Sequence, residues 1–237
     1  MKTDSSYGQV IQLPKHRVSA AQAQVLPALT DMLCTTPADP AATGFLLSLL
    51  HQTGGPILWV QDHMSRRENG QLYTPSLPAF GISHPVLKVH VSRPRDVLWA
   101  MEEGAACAGL SAVIGEIHGA PAALDFTATK RLAMRAEASG VPVFILRSGD
   151  PGVLSAARAR WRIMSLPSLT HSHDSKAPGT PQWDLDLFRA RAQQPGRWVA
   201  KYDPNASRAT DRLRLVSRAD TGTMDASDQP VPDRSGG

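Results

Sequence analysis

The chain has 237 residues, 42% of them hydrophobic and 19% charged, with a formal net charge of +4. That hydrophobic fraction supports a sizeable core and excludes a chain disordered throughout, and the length suits one α/β domain with a tail. Two cysteines, Cys34 and Cys107, cannot form a disulfide framework, no apolar run approaches the roughly 20 residues of a membrane helix, and the polar opening residues lead to the expectation of no secretory leader. The expectation is a reduced, cytoplasmic protein that makes no use of a membrane, with both cysteines acting as small buried hydrophobes.

Residues 1–18 are polar and lack periodicity, so they are expected to form a loose leader. Ala20 to Pro27 has helical composition, and Ala28 to Cys34 suits a strand. Thr35 to Pro40 is a turn cluster; Ala41 to about Gln52 is expected as a helix with Phe45, Leu46, Leu49 and Leu50 apolar, ended by Gly54 and Gly55. Pro56 to Gln61 is a buried strand terminating at Asp62, followed by a polar loop from His63 to Gly70. Leu72 to Phe80 holds one or two helical turns closed by Gly81, and Val86 to Val91 is a strand.

The most informative stretch comes next. Pro94 stands at a first helical position, an apolar run with Trp99, Met101 and Ala105 follows, and Gly109 stops the helix. Ser111 to Glu116 is then a strand apolar on both faces, the signature of a parallel sheet covered by helices. Its terminal Glu116 sits where open α/β sheets place functional groups. Thr127 to Ala138 is amphipathic, with Leu132, Ala133 and Ala136 inward, and Val141 to Leu146 is a further buried strand. Strand and helix alternating through short joints predict right-handed crossovers and a mainly parallel sheet.

Beyond Arg147 the pattern changes. Ala159 to Met164, Trp183 to Arg189 and Arg197 to Tyr202 alternate polar with apolar, as antiparallel strands with one wet face do. Residues 19–203 are thus expected to form one domain and residues 204–237, rich in Asp, Ser, Thr, Gly and Pro, a disordered tail.

Candidate chemistry is sparse. The turn before the first helix stands where a nucleotide-binding protein carries a glycine-rich phosphate loop. Thr36 to Thr43 has neither glycine nor lysine, Pro37 and Pro40 remove N–H donors, and Asp39 repels phosphate, so tight ATP binding is not expected. Asp62 and Glu116, at two strand ends, suit either a metal or water-activating pair or simple acidic caps. His171, His173 and Asp174 resemble a ligand cluster but sit in a solvated loop without a distant third ligand. No catalytic constellation, metal or cofactor is expected.

The segment from Arg158 to Lys201 has eight basic residues (Arg158, Arg160, Arg162, Lys176, Arg189, Arg191, Arg197, Lys201) against Asp174, Asp184 and Asp186. Such a cluster suits nucleic acid or an acidic partner, and equally a solvated sheet face. Arg158, Arg160 and Arg162, two apart, are expected on one strand face, where Asp184 and Asp186 could offset them. Trp161 and Ile163 fall on the opposite face, as core.

Several stretches together resemble one family. They are Gly55 to Gln61, Arg93 to Glu103, Ser111 to Glu116, Ser155 to Arg162, Trp183 to Arg191 and Pro195 to Trp198. In order and spacing they resemble ImuA, the RecA-like accessory protein of the bacterial mutasome, which is also related in some descriptions to the cell-division inhibitor SulA. The resemblance implies a RecA-type fold without a working phosphate loop, in which Ala42 stands at the phosphate-binding lysine and Thr43 at the magnesium-binding hydroxyl. Asp62 then falls near the water-activating glutamate and Glu116 near the strand-end aspartate. It further implies a non-catalytic adaptor in damage-inducible (SOS) translesion synthesis, working with an ImuB-type protein, an error-prone polymerase and RecA. Arg158, Arg160, Arg162, Arg189, Arg191 and Arg197 are the candidates for contact with a partner or DNA. A SulA-like inhibitor of the division GTPase and a weak ATPase built on Asp62 and Glu116 are the alternatives.

Overall fold

The computed structural model describes residues 28–36, 38–50, 54–171, 173–174, 176–191, 194–206, 208 and 211–218, with the backbone of Arg17 and Val18. Its strands are β1 (Arg17–Val18), β2 (Leu29–Cys34), β3 (Ile57–Asp62), β4 (Val86–Val91), β5 (Ala112–His118), β6 (Val143–Ser148), β7 (Ala159–Leu166), β8 (Gln182–Ala190), β9 (Gly196–Tyr202) and β10 (Leu213–Ser217). The helices are α1 (Ala41–Leu50), α2 (His63–Asn69), α3 (Pro94–Ala105) and α4 (Phe126–Ser139), with a 3-10 helix at Thr74–Phe80. Among the described residues the strands form one sheet in the order β1-β10-β9-β8-β7-β2-β6-β5-β3-β4.

Half of this sheet is parallel, and its centre is doubly covered. β7, β2, β6, β5, β3 and β4 run parallel to one another, and β3, β5 and β6 are buried on both faces for nearly their whole length. Their near-continuous apolar sequences require that. α1 packs on one face through Phe45, Leu46 and Leu50, and α3 and α4 pack on the other through Val97, Met101, Leu132 and Ala136. α3 lies so close that a Cβ on Gly115 would collide with the Met101 sulfur, and one on Gly104 with Leu58. Gly140, at φ 79°, closes α4 in the left-handed conformation that only glycine adopts without strain.

The other half is antiparallel and singly covered. β8, β9, β10 and β1 follow β7 with alternating direction. Trp161, Trp183, Leu185, Leu187, Ala200, Tyr202, Leu213 and Leu215 join the core under α1. The intervening residues of β8, β9 and β10 face out, so the period-two pattern of the sequence is realised directly there. Phe45 packs its ring against those of Trp161 and Trp183, centroids 5.7 and 6.2 Å away, tying the two halves together.

Several expectations are corrected. The polar stretch from His63 is not a loop but α2: the Asp62 carboxylate accepts from the Ser65 amide at 2.7 Å, so a capping residue starts a helix that has almost no apolar stripe. The expected tail from residue 204 contains β10, whose Leu213 and Leu215 are buried while Arg214 and Val216 are exposed, an alternation too short to stand out from its polar flanks. Within the expected leader, Arg17 and Val18 pair with β10. β7 is not wholly antiparallel; it pairs parallel with β2 and antiparallel with β8, joining the two halves. β5 runs two residues past Glu116, to His118. Cys107 is exposed rather than core, because it follows the end of α3 in a turn. The rest of residues 1–18, the helical segment Ala20 to Pro27, and residues 219–237 lie outside the described residues.

Candidate functional site

The carboxyl ends of β2, β5 and β6 meet the amino end of α1 around a cavity of about 370 Å³. Here the chain leaves β2 toward one side of the sheet and later returns to cross to β7 on the other, with α1 on one face and α3 and α4 on the opposite face. Ligands of open α/β sheets bind at such a switch point.

The floor of the cavity is the turn before α1, where a carboxylate of the chain itself already meets the first amide of the helix. Asp39 Oδ1 accepts from the Ala41 amide at 2.9 Å and from Ser165 Oγ at 2.6 Å, while Oδ2 accepts from the Ser165 amide at 2.8 Å. A helix amino terminus attracts anions through its free amides and dipole, and the chain fills that position with its own carboxylate. Ala42 is fully buried within the core cluster, so it points into protein rather than toward the cavity. Thr43 lines the cavity. Asp39, Thr43 and Glu116 are therefore brought together, and Ala42 is not.

Glu116 forms part of the cavity wall and is 5% exposed. The Trp59 indole N–H donates to its Oε1 at 2.5 Å. Burial pushes the Glu116 carboxyl from its ordinary value of 4.5 up to about 7, opposed by hydrogen bonds from Trp59 and Gln61 and assisted by the charge of Asp62. Asp62 is fully buried and caps α2; its Oδ2 has no hydrogen-bond partner among the described residues. The two carboxylates thus have different work, Asp62 holding α2 and Glu116 facing the cavity. Behind them Ser65 Oγ donates to the Glu116 carbonyl and accepts from the His118 amide, both at 3.0 Å. Asn69 Nδ2 donates to Ser148 Oγ at 2.8 Å, fixing the end of β6. Burial also pushes the Cys34 thiol, at the end of β2, up to about 11.

The opposite face of the sheet holds a second polar centre that the sequence analysis missed. Asp31, fully buried in β2, accepts on Oδ2 from Arg147 Nη1 at 2.7 Å and from Arg160 Nε at 3.1 Å. Arg147 Nε also donates to Asp150 Oδ2 at 2.5 Å, and Arg160 Nη2 donates to the Val153 carbonyl at 2.8 Å. These bonds pin the segment following β6 under the end of β7. The available signal was charge inside apolar strands: Asp31 in Leu29–Cys34 and Arg147 in Val143–Ser148 needed a buried partner.

The arginine candidates divide. Arg160 is consumed by Asp31, and Arg158, which precedes β7, pairs with Glu137 of α4. Arg162 lies 3.4 Å from Asp186, Arg197 lies 3.9 Å from Asp186, and Arg218 lies 2.9 Å from Asp184. The three-residue row is interrupted at a β-bulge between Arg160 and Trp161, which sets Phe188 under both guanidinium groups of Arg160 and Arg162. Arg189 and Arg191 are exposed. Trp161 and Ile163 are core. His171 and His173 are exposed, and among the described residues no group of three or more His, Cys, Asp or Glu could hold a metal ion. No helix among the described residues is long and apolar enough to cross a membrane. No protein-family model matches the chain, and no match to a curated protein was found.

Proposed function

We propose that this chain is a RecA-like, non-catalytic adaptor of the ImuA type, acting in SOS-induced translesion synthesis beside an ImuB-type protein, an error-prone polymerase and RecA. The observation that carries the reading is the state of the α1 amino terminus, where Asp39 caps the helix that would hold a phosphate and Ala42 is turned into the core. A parallel core kept intact around a phosphate position closed by the chain itself favours assembly over chemistry. The central place of β2, with α1 on one face and α3 and α4 on the other, supports the RecA-like assignment.

The test is a pull-down of the purified full chain against RecA and an ImuB-type protein, with and without single-stranded DNA, run beside fluorescent-ATP binding. Capture of either protein without DNA, and no saturable ATP binding, is the expected result. Capture of the division GTPase in place of both would transfer the chain to the SulA-like class. ATP hydrolysis abolished by Glu116→Gln would make it an enzyme.

A further inference from the structure

The cavity lined by Asp39 and Glu116 has a chemistry of its own, which goes beyond the adaptor reading and does not depend on it. Its volume of about 370 Å³ falls within the range of ligand sites, and Leu47, Leu72, Leu146 and Trp183 give it apolar walls. Two of its lining residues, Asp39 and Glu116, are acidic. Arg147 also borders it, but its guanidinium is bound by Asp31 and Asp150. A phosphate or carboxylate ligand would meet negative charge with no cation to receive it. A divalent cation would find too few ligands, given that no group of three acidic, His or Cys side chains exists among the described residues. A neutral apolar molecule would fill the walls but offer the ionised form of Glu116 no counter-charge.

We propose that this cavity is a receptor for a protonated amine on an apolar stem, with the ammonium at Glu116 and the stem between Trp183, Leu72 and Leu146. An ammonium donates three hydrogen bonds and carries the opposite charge, so it supplies what the Glu116 carboxylate lacks, and the indole of Trp183 offers the stem an aromatic wall. The same chemistry is presented by a small alkylamine and by the lysine side chain of a partner protein.

A proton competes with the ammonium for Glu116. The titratable and charged groups around that carboxyl are Asp62 from β3, Asp39 ahead of α1, Cys34 from β2 and Arg147 from β6, with His118 two residues along β5 holding its ring 3.0 Å from Ser148 Oγ. With the Glu116 carboxyl at about 7, its ionised fraction rises from roughly one-tenth at pH 6 to roughly nine-tenths at pH 8. An alkylammonium stays charged throughout that range, so amine affinity rises with pH by about tenfold.

Isothermal titration of the full chain with pentylamine and with 1-pentanol tests the proposal. At pH 8 pentylamine binds at least tenfold more tightly than pentanol, it loses about tenfold on going to pH 6, and in Glu116→Gln the two probes bind alike. Thr43→Lys, which brings an ammonium into the cavity from its own wall, abolishes pentylamine binding and serves as the second variant should Glu116→Gln fail to fold. An N-acetyl-lysine methylamide arm separates the sources: binding as tight as pentylamine assigns the cavity to a partner's lysine, and binding of pentylamine alone assigns it to a small amine. Equal affinity for pentylamine and pentanol in the wild-type chain overturns the proposal. So does pentylamine binding that survives unchanged in a folded Glu116→Gln or Thr43→Lys. These readings are independent of the pull-down, so the adaptor assignment and the amine site can fail separately.

Discussion

Asp31 and Glu116 are buried carboxylates on opposite faces of the same sheet, one residue apart in register through β6: Asp31 pairs with Ile145 and Glu116 with Leu146. Asp31 is met by two guanidinium groups. Glu116 is met by the Trp59 indole N–H, the Gln61 side chain and a cavity. Depth of burial is nearly the same, so burial alone does not decide what a carboxylate becomes. The partners decide: they make one face a structural clamp and leave the carboxyl on the other face raised, beside a cavity.

The largest way to break this contrast is to remove the ion from the clamped face. Asp31→Asn leaves Arg160 buried without its counter-ion and weakens the hold on Arg147. A loss of about 3–5 kcal/mol is expected, read as a lowered urea midpoint with the slope unchanged. The second test acts on Glu116 through pH. Its folded value of about 7 lies above the ordinary 4.5, so the folded state holds this proton more tightly than the unfolded chain does. The contribution is therefore full below about pH 4.5 and is lost as pH rises to about 7, in total about 3 kcal/mol. Denaturation midpoints measured across that window should fall with rising pH, and Glu116→Gln should flatten the slope. The smallest effect belongs to the exposed rim: Asp39→Ala removes the α1 cap and the ties to Ser165, for about 1 kcal/mol. A loss at Asp39 rivalling that at Asp31 would show that the loop, not the clamp, holds the carboxyl end of the sheet together.

What was legible in the sequence follows from period and punctuation. The doubly apolar runs of β3, β5 and β6, the amphipathic stripe of α4 and the two-residue alternation of β8 and β9 each state their own environment. α2 was illegible because it buries only Ser65 and depends on a cap, and β10 because only two of its five residues face the core. Glu116 was visible as an acid ending an apolar run, and Asp39 as a charge misplaced in a phosphate-type turn. Their environments were not: the indole of Trp59 comes from a strand 57 residues away in sequence, and Ser165 lies 126 residues from Asp39. The basic cluster was read by composition, which counts charges but does not see that Asp31 and Glu137 have already taken Arg160 and Arg158.

The turn before α1 also sets the terms on which an engineer could give this chain a phosphate site. A lysine introduced at Ala42 would drive a long cation into the core cluster that holds Phe45, Trp161 and Trp183, since that position has no exposure. Asp39 would have to go as well, and with it the bonds to Ser165 that hold the turn against β7. Even Gly44 is committed, because a Cβ there would stand 2.8 Å from the Trp183 ring. Each of these substitutions taken alone would destabilise the turn or the core, so a phosphate site could be installed only by redesigning turn, helix and facing strand at once.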